Sequence, residues 1–211
     1  MSGPTRWAGV PLTDRRAERR AQLIDAAFRL FGEGGEAAVA VRSVCRACGL
    51  NTRYFYESFA DTDELLGAVY DQVNASLGAE VQAAIAAAGD SLRERTRAGI
   101  AAVLGFSSAD PRRGRILFTD ARSNPVLAAR RTATQDLLRE GVLIEGWRLN
   151  PGSDPVAAQV GAALYTGAMA ELAQQWLAGN LGSDLDAVVE HAVQTVLRPP
   201  ATDLGSPGAG G

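Results

Sequence analysis

The chain has 211 residues, 46% hydrophobic and 21% charged, enough to bury the core of one large domain or two small ones in a water-soluble globular protein. Two Cys and one His leave little room for a disulfide framework or a metal cluster, and Arg, Asp, Glu or Gln breaks every apolar run before the ~18 residues of a membrane span. The net charge of −3 is unevenly spread: residues 1–60 hold nine Arg against six acidic residues, the rest twelve against eighteen, and no Lys occurs anywhere.

A basic head on an acidic body implies that only the head meets a polyanion, unless its arginines simply form a solvated helix face. The opening stretch "MSGPTRWAGVPLTDRR" lacks the apolar core of a secretory signal, so a cytoplasmic location is the default. Residues 1–12 read as a flexible arm, in which Arg6 could enter a minor groove or could belong to a plain tail. From Thr13 to Phe31, Ala17, Leu23, Ile24, Ala27, Phe28 and Phe31 recur at helical spacing, with Thr13 as cap and "FGEGGE" as terminator. A second helix spans about Val41–Cys48 and stops at Gly49. Asn51 then caps a short third helix, about Thr52–Ser58.

Asp61 and Glu64 make a capping box that opens a long fourth helix towards Ala88. Asp110-Pro111, Asn124-Pro125 and Asp154-Pro155 each place a capping side chain before a proline at the first helical position. Helices therefore start near 111, 125 and 155, with a further start near 91 after Asp90. Ser183 or Asp184 opens the last helix, which ends by Pro199-Pro200. Residues 199–211, Gly- and Pro-rich, read as a disordered tail. No alternating strand pattern appears, so the fold class is all-α, with about nine helices.

The third helix holds Tyr54, Phe55, Tyr56 and Phe59, four of only ten Tyr and Phe in the chain. At about 100° per residue, Phe55 and Phe59 fall on one side, Tyr54 and Tyr56 flank them, and Arg53 and Glu57 face away. A helix of seven residues is not stable alone, and two aromatic anchors are what holds it to its neighbours. The tyrosine hydroxyls and Arg53 are then left where phosphates and base edges would lie. Two short helices around a Gly-containing turn, the second polar and outward, describe a helix-turn-helix.

The stretches "RRAQLIDAAFRLFGEGG", "VRSVCRACGL" and "NTRYFYESFADTDELL" resemble the DNA-binding domain of the tetracycline-repressor (TetR) family of transcriptional regulators. The resemblance implies an N-terminal three-helix DNA-binding domain, residues 13–60, and a C-terminal helical ligand-binding and dimerisation domain, residues 61–198. Carried over by position, Arg42 matches a backbone contact from helix two, and Thr52, Arg53 and Tyr54 match the base-reading face. Tyr56 matches the phosphate-contacting tyrosine and Phe59 a core aromatic. Thr62 stands where many members place a phosphate-binding Lys, Arg53 replaces a common Gly, and Ala40 occupies the usual Ser/Thr cap of helix two. These departures bear on operator sequence, not docking mode.

Cys45 and Cys48 form C-x-x-C, but at a helix C-terminus, where the dipole disfavours a thiolate. Buried small residues are the reading preferred over thiol sensing. Zinc would need a second ligand pair. His191 reads as a surface or interface residue. With no catalytic constellation, no cofactor motif and "GEGGEA" following a helix instead of a strand, the chain is not expected to be an enzyme. In the body, Phe118, Trp147, Tyr165, Met169 and Trp176 are the candidate lining of an effector cavity. Tyr165, Met169, Leu172 and Trp176 share a stripe that reads equally as plain core. The few polar groups that could lie near it, Asn74 or Gln174, give no basis for a charged ligand, so the expected effector is lipophilic.

Leu185, Val188, Val189, Ala192, Val193, Val196 and Leu197 form an apolar stripe. With Gly161, Ala168 and Ala173 on the preceding helix, it would build a two-fold four-helix dimer interface, and a palindromic operator follows from that symmetry; the alternative is an intramolecular core helix. The expected function is a ligand-responsive dimeric DNA-binding regulator, a repressor released by its effector. The alternative is a helical lipid- or acyl-binding protein without DNA affinity.

Overall fold

The computed structural model describes residues 6–7, 10–119 and 124–197, with side chains from Arg15 onward; the tail and the Arg6 and Trp7 side chains lie outside it. A two-residue antiparallel pairing, β1 (Arg6–Trp7) with β2 (Val10–Pro11), precedes the first helix, so the arm carries a minimal ladder where none was expected. Nine α-helices follow among the described residues: α1 Leu12–Gly34, α2 Val41–Cys48, α3 Thr52–Tyr56, α4 Thr62–Ala87, α5 Leu92–Ala109, α6 Pro111–Gly114, α7 Pro125–Leu149, α8 Pro155–Leu177 and α9 Leu185–Val196. The all-α reading therefore holds. α1 already runs at Leu12, so Thr13 sits in its first turn and not at the cap. Ala17 is exposed, nearly two turns ahead of the buried face that begins at Leu23.

The caps explain where the helices begin. Asn51 accepts from the Arg53 amide at 2.9 Å. Asp61 accepts from the Glu64 amide at 2.8 Å, while Glu64 reaches back to the Ala60 amide at 2.6 Å, so the capping box forms with its return bond one residue early. Asp110, Asn124, Asp154 and Asp184 each accept from an amide two or three residues on. α5 is capped by Ser91, one residue later than the Asp90 reading. Ala40 offers α2 no side-chain cap, and Ser43 compensates: its hydroxyl accepts from the Ala40 amide at 3.0 Å and donates to the Ala38 carbonyl at 2.7 Å. α2 stops because Gly49 turns left-handed, at φ 68°.

Two apolar cores carry the packing. The first gathers Leu23, Phe31, Val44, Phe55 and Phe59 of the head, then continues through Leu65 and Val69 of α4 into Phe106, Ile116, Leu117 and Leu127 of the body. The second lies between α5, α8 and α9, around Ile100, Leu104, Met169, Ala173, Val189 and Val193. Phe118, on a π-helical turn at Arg115–Thr119, touches both. The head is therefore bonded into the body by shared core as well as by α4.

Candidate nucleic-acid interface

The helix-turn-helix geometry begins with burial. α3 ends at Tyr56, two residues short of the expected Ser58, so Phe59 lies just beyond it. Phe55 is 0% exposed and Phe59 2%, their ring centroids 6.0 Å apart, so both aromatic anchors are spent inside the head. What remains on α3 is outward: Tyr56 is 62% exposed, and Thr52, Arg53 and Tyr54 are exposed beside it. On α2, Arg42 and Arg46 are exposed one turn apart and form no ion pair among the described residues. Five of the six residues expected at DNA thus come together on the outer sides of α2 and α3. Thr62 does not join them. It is half-buried at the start of α4 and lines a cleft of about 690 Å³ with Glu36, Asp63, Arg115 and Thr119.

Sequence reasoning missed how α1 serves this face. Arg16 donates to the Glu57 backbone carbonyl. Arg19 lies 4.5 Å over the Tyr54 ring and 3.8 Å from the Glu57 carboxylate, and Arg20 lies 4.7 Å over the Phe59 ring. The arginine run is therefore neither a free polyanion contact nor a solvated face: much of it clamps α3 to the scaffold. The available signal was Glu57, the sole acidic residue between Glu36 and Asp61.

The cysteines are packing residues in geometry. Cys45 is buried, and burial first, then the neighbouring Cys48, pushes its thiol above the ordinary value. Cys48 donates its S–H to the Val44 carbonyl at 3.2 Å. No group of three or more metal-binding side chains occurs among the described residues, and no described helix is long and apolar enough to cross a membrane.

Head and body meet at a polar seam. Arg112 of α6 stacks 5.1 Å over Phe28 and approaches Glu33 at 3.6 Å, while Arg115 donates to the terminal α1 carbonyls of Gly32 and Glu33 at 2.9 and 3.2 Å. That guanidinium satisfies carbonyls that a helix end leaves open. Asn124 donates to both Glu36 and Asp63 at 2.9 Å, tying the start of α7 to head and α4 together. Gly32 is required here, because a side chain would collide with Arg112.

The effector candidates separate. Met169 is buried, and Tyr165, Trp176 and Phe118 pack around the second core, where burial alone pushes the Tyr165 phenol up to about 12. Trp176 donates to the Ser108 hydroxyl at 2.7 Å. Trp147 instead lies exposed on α7, beside exposed Ile144, because Val142, Leu143 and Gly146 occupy the more covered side of that helix; it lines neither the cleft at Thr62 nor the groove between α8 and α9.

The α9 stripe also divides. Val189 and Val193 are 0% exposed in the subunit's own second core, with Leu185, Val188, Ala192 and Leu197 partly covered, so only its margin is free for a partner. α8 presents the apolar surface: Val156, Val160 and Leu164 are 67%, 53% and 69% exposed at four-residue spacing. Gly161 and Ala168 are exposed as well, whereas Ala173 is buried. Between α8 and α9 runs a mostly apolar groove of about 610 Å³, lined by Met169, Leu172, Val188, Ala192, His191 and Val196 among others.

Comparison with known proteins agrees with this geometry. Residues 23–69 match the family model of bacterial regulatory proteins of the tetR family. The HTH-type transcriptional regulator BetI of Burkholderia thailandensis is 38% identical over 93 residues, 44% of this chain and 48% of that protein, so the match spans about half the length of these curated relatives. The HTH-type transcriptional activator FasR of Mycolicibacterium smegmatis is 27% identical over 180 residues, 85% of this chain and 81% of its own. The transcriptional regulator FadR from Bacillus subtilis, solved in complex with stearoyl-CoA, shares the fold with a TM-score of 0.68 over 84% of this chain and 97% of its own, at 17% identity.

Proposed function

We propose that the chain, whose residues 23–69 match the tetR family of bacterial regulatory proteins, is a member of that family and acts as a dimeric transcriptional regulator whose palindromic operator is released when a lipophilic effector enters the body. The observation that carries this is the division of α3 and the turn after it: Phe55 and Phe59 inside, Thr52, Arg53, Tyr54 and Tyr56 outside, with Arg42 and Arg46 exposed on α2. Arg42 and Tyr56 hold phosphates and so set register, and the first turn of α3 reads bases.

The dimer forms through the exposed α8 stripe and the α8–α9 groove, which gives the two heads a two-fold relation. Val156, Val160 and Leu164 form an apolar strip unusual for a helix facing water, and a second copy covers it. The effector is lipophilic and acyl-like. Support comes from the apolar surroundings of Tyr165, Met169 and Trp176, and from a same-fold protein that holds stearoyl-CoA. Coupling runs through the seam: any effector preferring one placement of α6 and the π turn also displaces Arg112 and Arg115, and with them α1.

DNA binding measured against salt tests the reading. Arg42→Ala should weaken affinity for all sequences alike and reduce the slope of log K against log salt by about 0.9 per subunit. Affinity and slope that do not change would remove Arg42 from the interface, and a chain with no DNA affinity would refute the regulator. Native mass spectrometry of the purified chain tests the effector; an empty protein after mild extraction argues against a lipophilic one.

A further inference from the structure

We propose that Arg53 reads a guanine in each operator half-site and that Glu57 is the residue positioning it, an inference resting on the DNA-binding role above. Arg53 stands in the first turn of α3, its backbone amide held by Asn51 at 2.9 Å, and its side chain is 83% exposed. Its Nε donates to Glu57 Oε1 at 3.0 Å, and among the described residues its two terminal nitrogens have no partner. Glu57 is not a loose surface carboxylate. Its other oxygen faces Arg19 at 3.8 Å, and its backbone carbonyl accepts from Arg16, so α1 fixes it from behind.

Charge decides between the two uses an arginine has on DNA. Arg53 carries a carboxylate beside it, so its pair adds little net positive charge, and a phosphate drawn to Arg53 would meet Glu57 as well. Arg42 and Arg46 carry no such companion and suit phosphates. Guanine asks for something else: a donor pair with fixed orientation, aimed at O6 and N7 in the major groove. A guanidinium tethered through Nε keeps its two terminal nitrogens for that edge and gives up the rotation that would blur it. Glu57 is therefore a positioning residue, and Arg19 its support.

Selection of binding sites from randomised duplex DNA, with the full chain, tests this. Wild type should enrich a guanine at one symmetric position per half-site. Arg53→Ala should lose preference there, roughly 5- to 150-fold, and keep the other positions. Glu57→Gln should weaken the same preference without lowering non-specific affinity or the melting temperature. A merely structural Glu57 would instead alter all positions or stability together. Arg53→Ala weakening every sequence equally, with base preferences intact, would make Arg53 a phosphate contact and overturn the proposal while leaving the regulator standing. An unchanged guanine preference in Glu57→Gln would overturn the positioning role, and failure of wild type to select any site would sink both readings.

Discussion

Gly32→Ala is the sharpest test of the seam between head and body. A β-carbon at Gly32 would sit 2.3, 2.6 and 3.0 Å from Cβ, Cγ and Cδ of Arg112, against the ~3.5–4.0 Å that carbon atoms prefer. The overlap at Cβ is therefore on the order of 1.5 Å, and Cβ cannot swing aside, so α1 and α6 must part. Overpacking of this kind costs about 1–3 kcal/mol, from which up to ~1 kcal/mol of helix propensity is recovered. With that gain in full the net loss is about 0–2 kcal/mol, a melting temperature lowered by up to roughly 8 °C in a chain this long, and the deficit against a glycine that gains the same propensity without a clash is about 1–3 kcal/mol. Two controls bracket it. Gly67→Ala meets only the mobile guanidinium end of Arg130, at 2.4 Å from Cζ, and should cost less. Gly78→Ala meets nothing within 4 Å and should stabilise. Thermal denaturation of the three variants is the assay. A Gly32→Ala protein as stable as Gly78→Ala would refute the tight seam.

Phe55→Ala removes a fully buried ring from the head and should cost about 3–5 kcal/mol, read as loss of helix-turn-helix folding by circular dichroism. Glu145, hydrogen-bonded first by Arg148 and then by Arg95, has its carboxyl held down from 4.5 to about 2; this stability is full above pH ~4.5 and lost as pH falls towards 2. Because Glu145 and Arg148 are partly solvated, that contribution is roughly 1–2 kcal/mol, and Glu145→Gln should flatten the acid limb of a melting profile. Cys45 should resist alkylation at pH 8 until the chain is unfolded, and rapid modification of the native protein would revive a thiol-sensing role. Leu164→Arg, on the exposed α8 strip, should yield a monomer by light scattering and abolish tight binding to a palindrome; an unchanged dimer would move the interface elsewhere.

What could be read from sequence divides along a physical line. Helix starts at Pro111, Pro125, Pro155 and Leu185 were legible because a capping oxygen and its amide are neighbours in the chain, so the signal and its cause are local. The inward and outward sides of α3 were legible because Phe and Tyr differ by a hydroxyl that water decides upon. The α9 stripe left two readings open because periodicity shows that a face is buried without saying by what. Val189 and Val193 meet α5 and α8 of their own subunit, and only the structure separates that from a partner's helix. Trp147 misled for a similar reason: α7 has apolar residues on both sides, so an aromatic there carries no direction.

The basic head illustrates the same limit more instructively. Its surplus of positive charge pointed to a polyanion, yet the arginines are not equivalent. Arg29 is paired with Asp25 at 2.7 Å, Arg16 and Arg19 are bound to Glu57, and Arg20 covers Phe59. Arg42 and Arg46 stay exposed with no carboxylate partner among the described residues. A summed charge cannot distinguish these, because pairing depends on contacts some forty residues apart, such as Arg16 with Glu57. What the fold adds is a difference in pairing: arginines of α1 brace α3, those of α2 stay without a carboxylate partner among the described residues, and Arg53 is tethered to Glu57. On the proposed reading this is a division of labour, with direction on α3 for specificity and charge on α2 for affinity, so that one can change without the other.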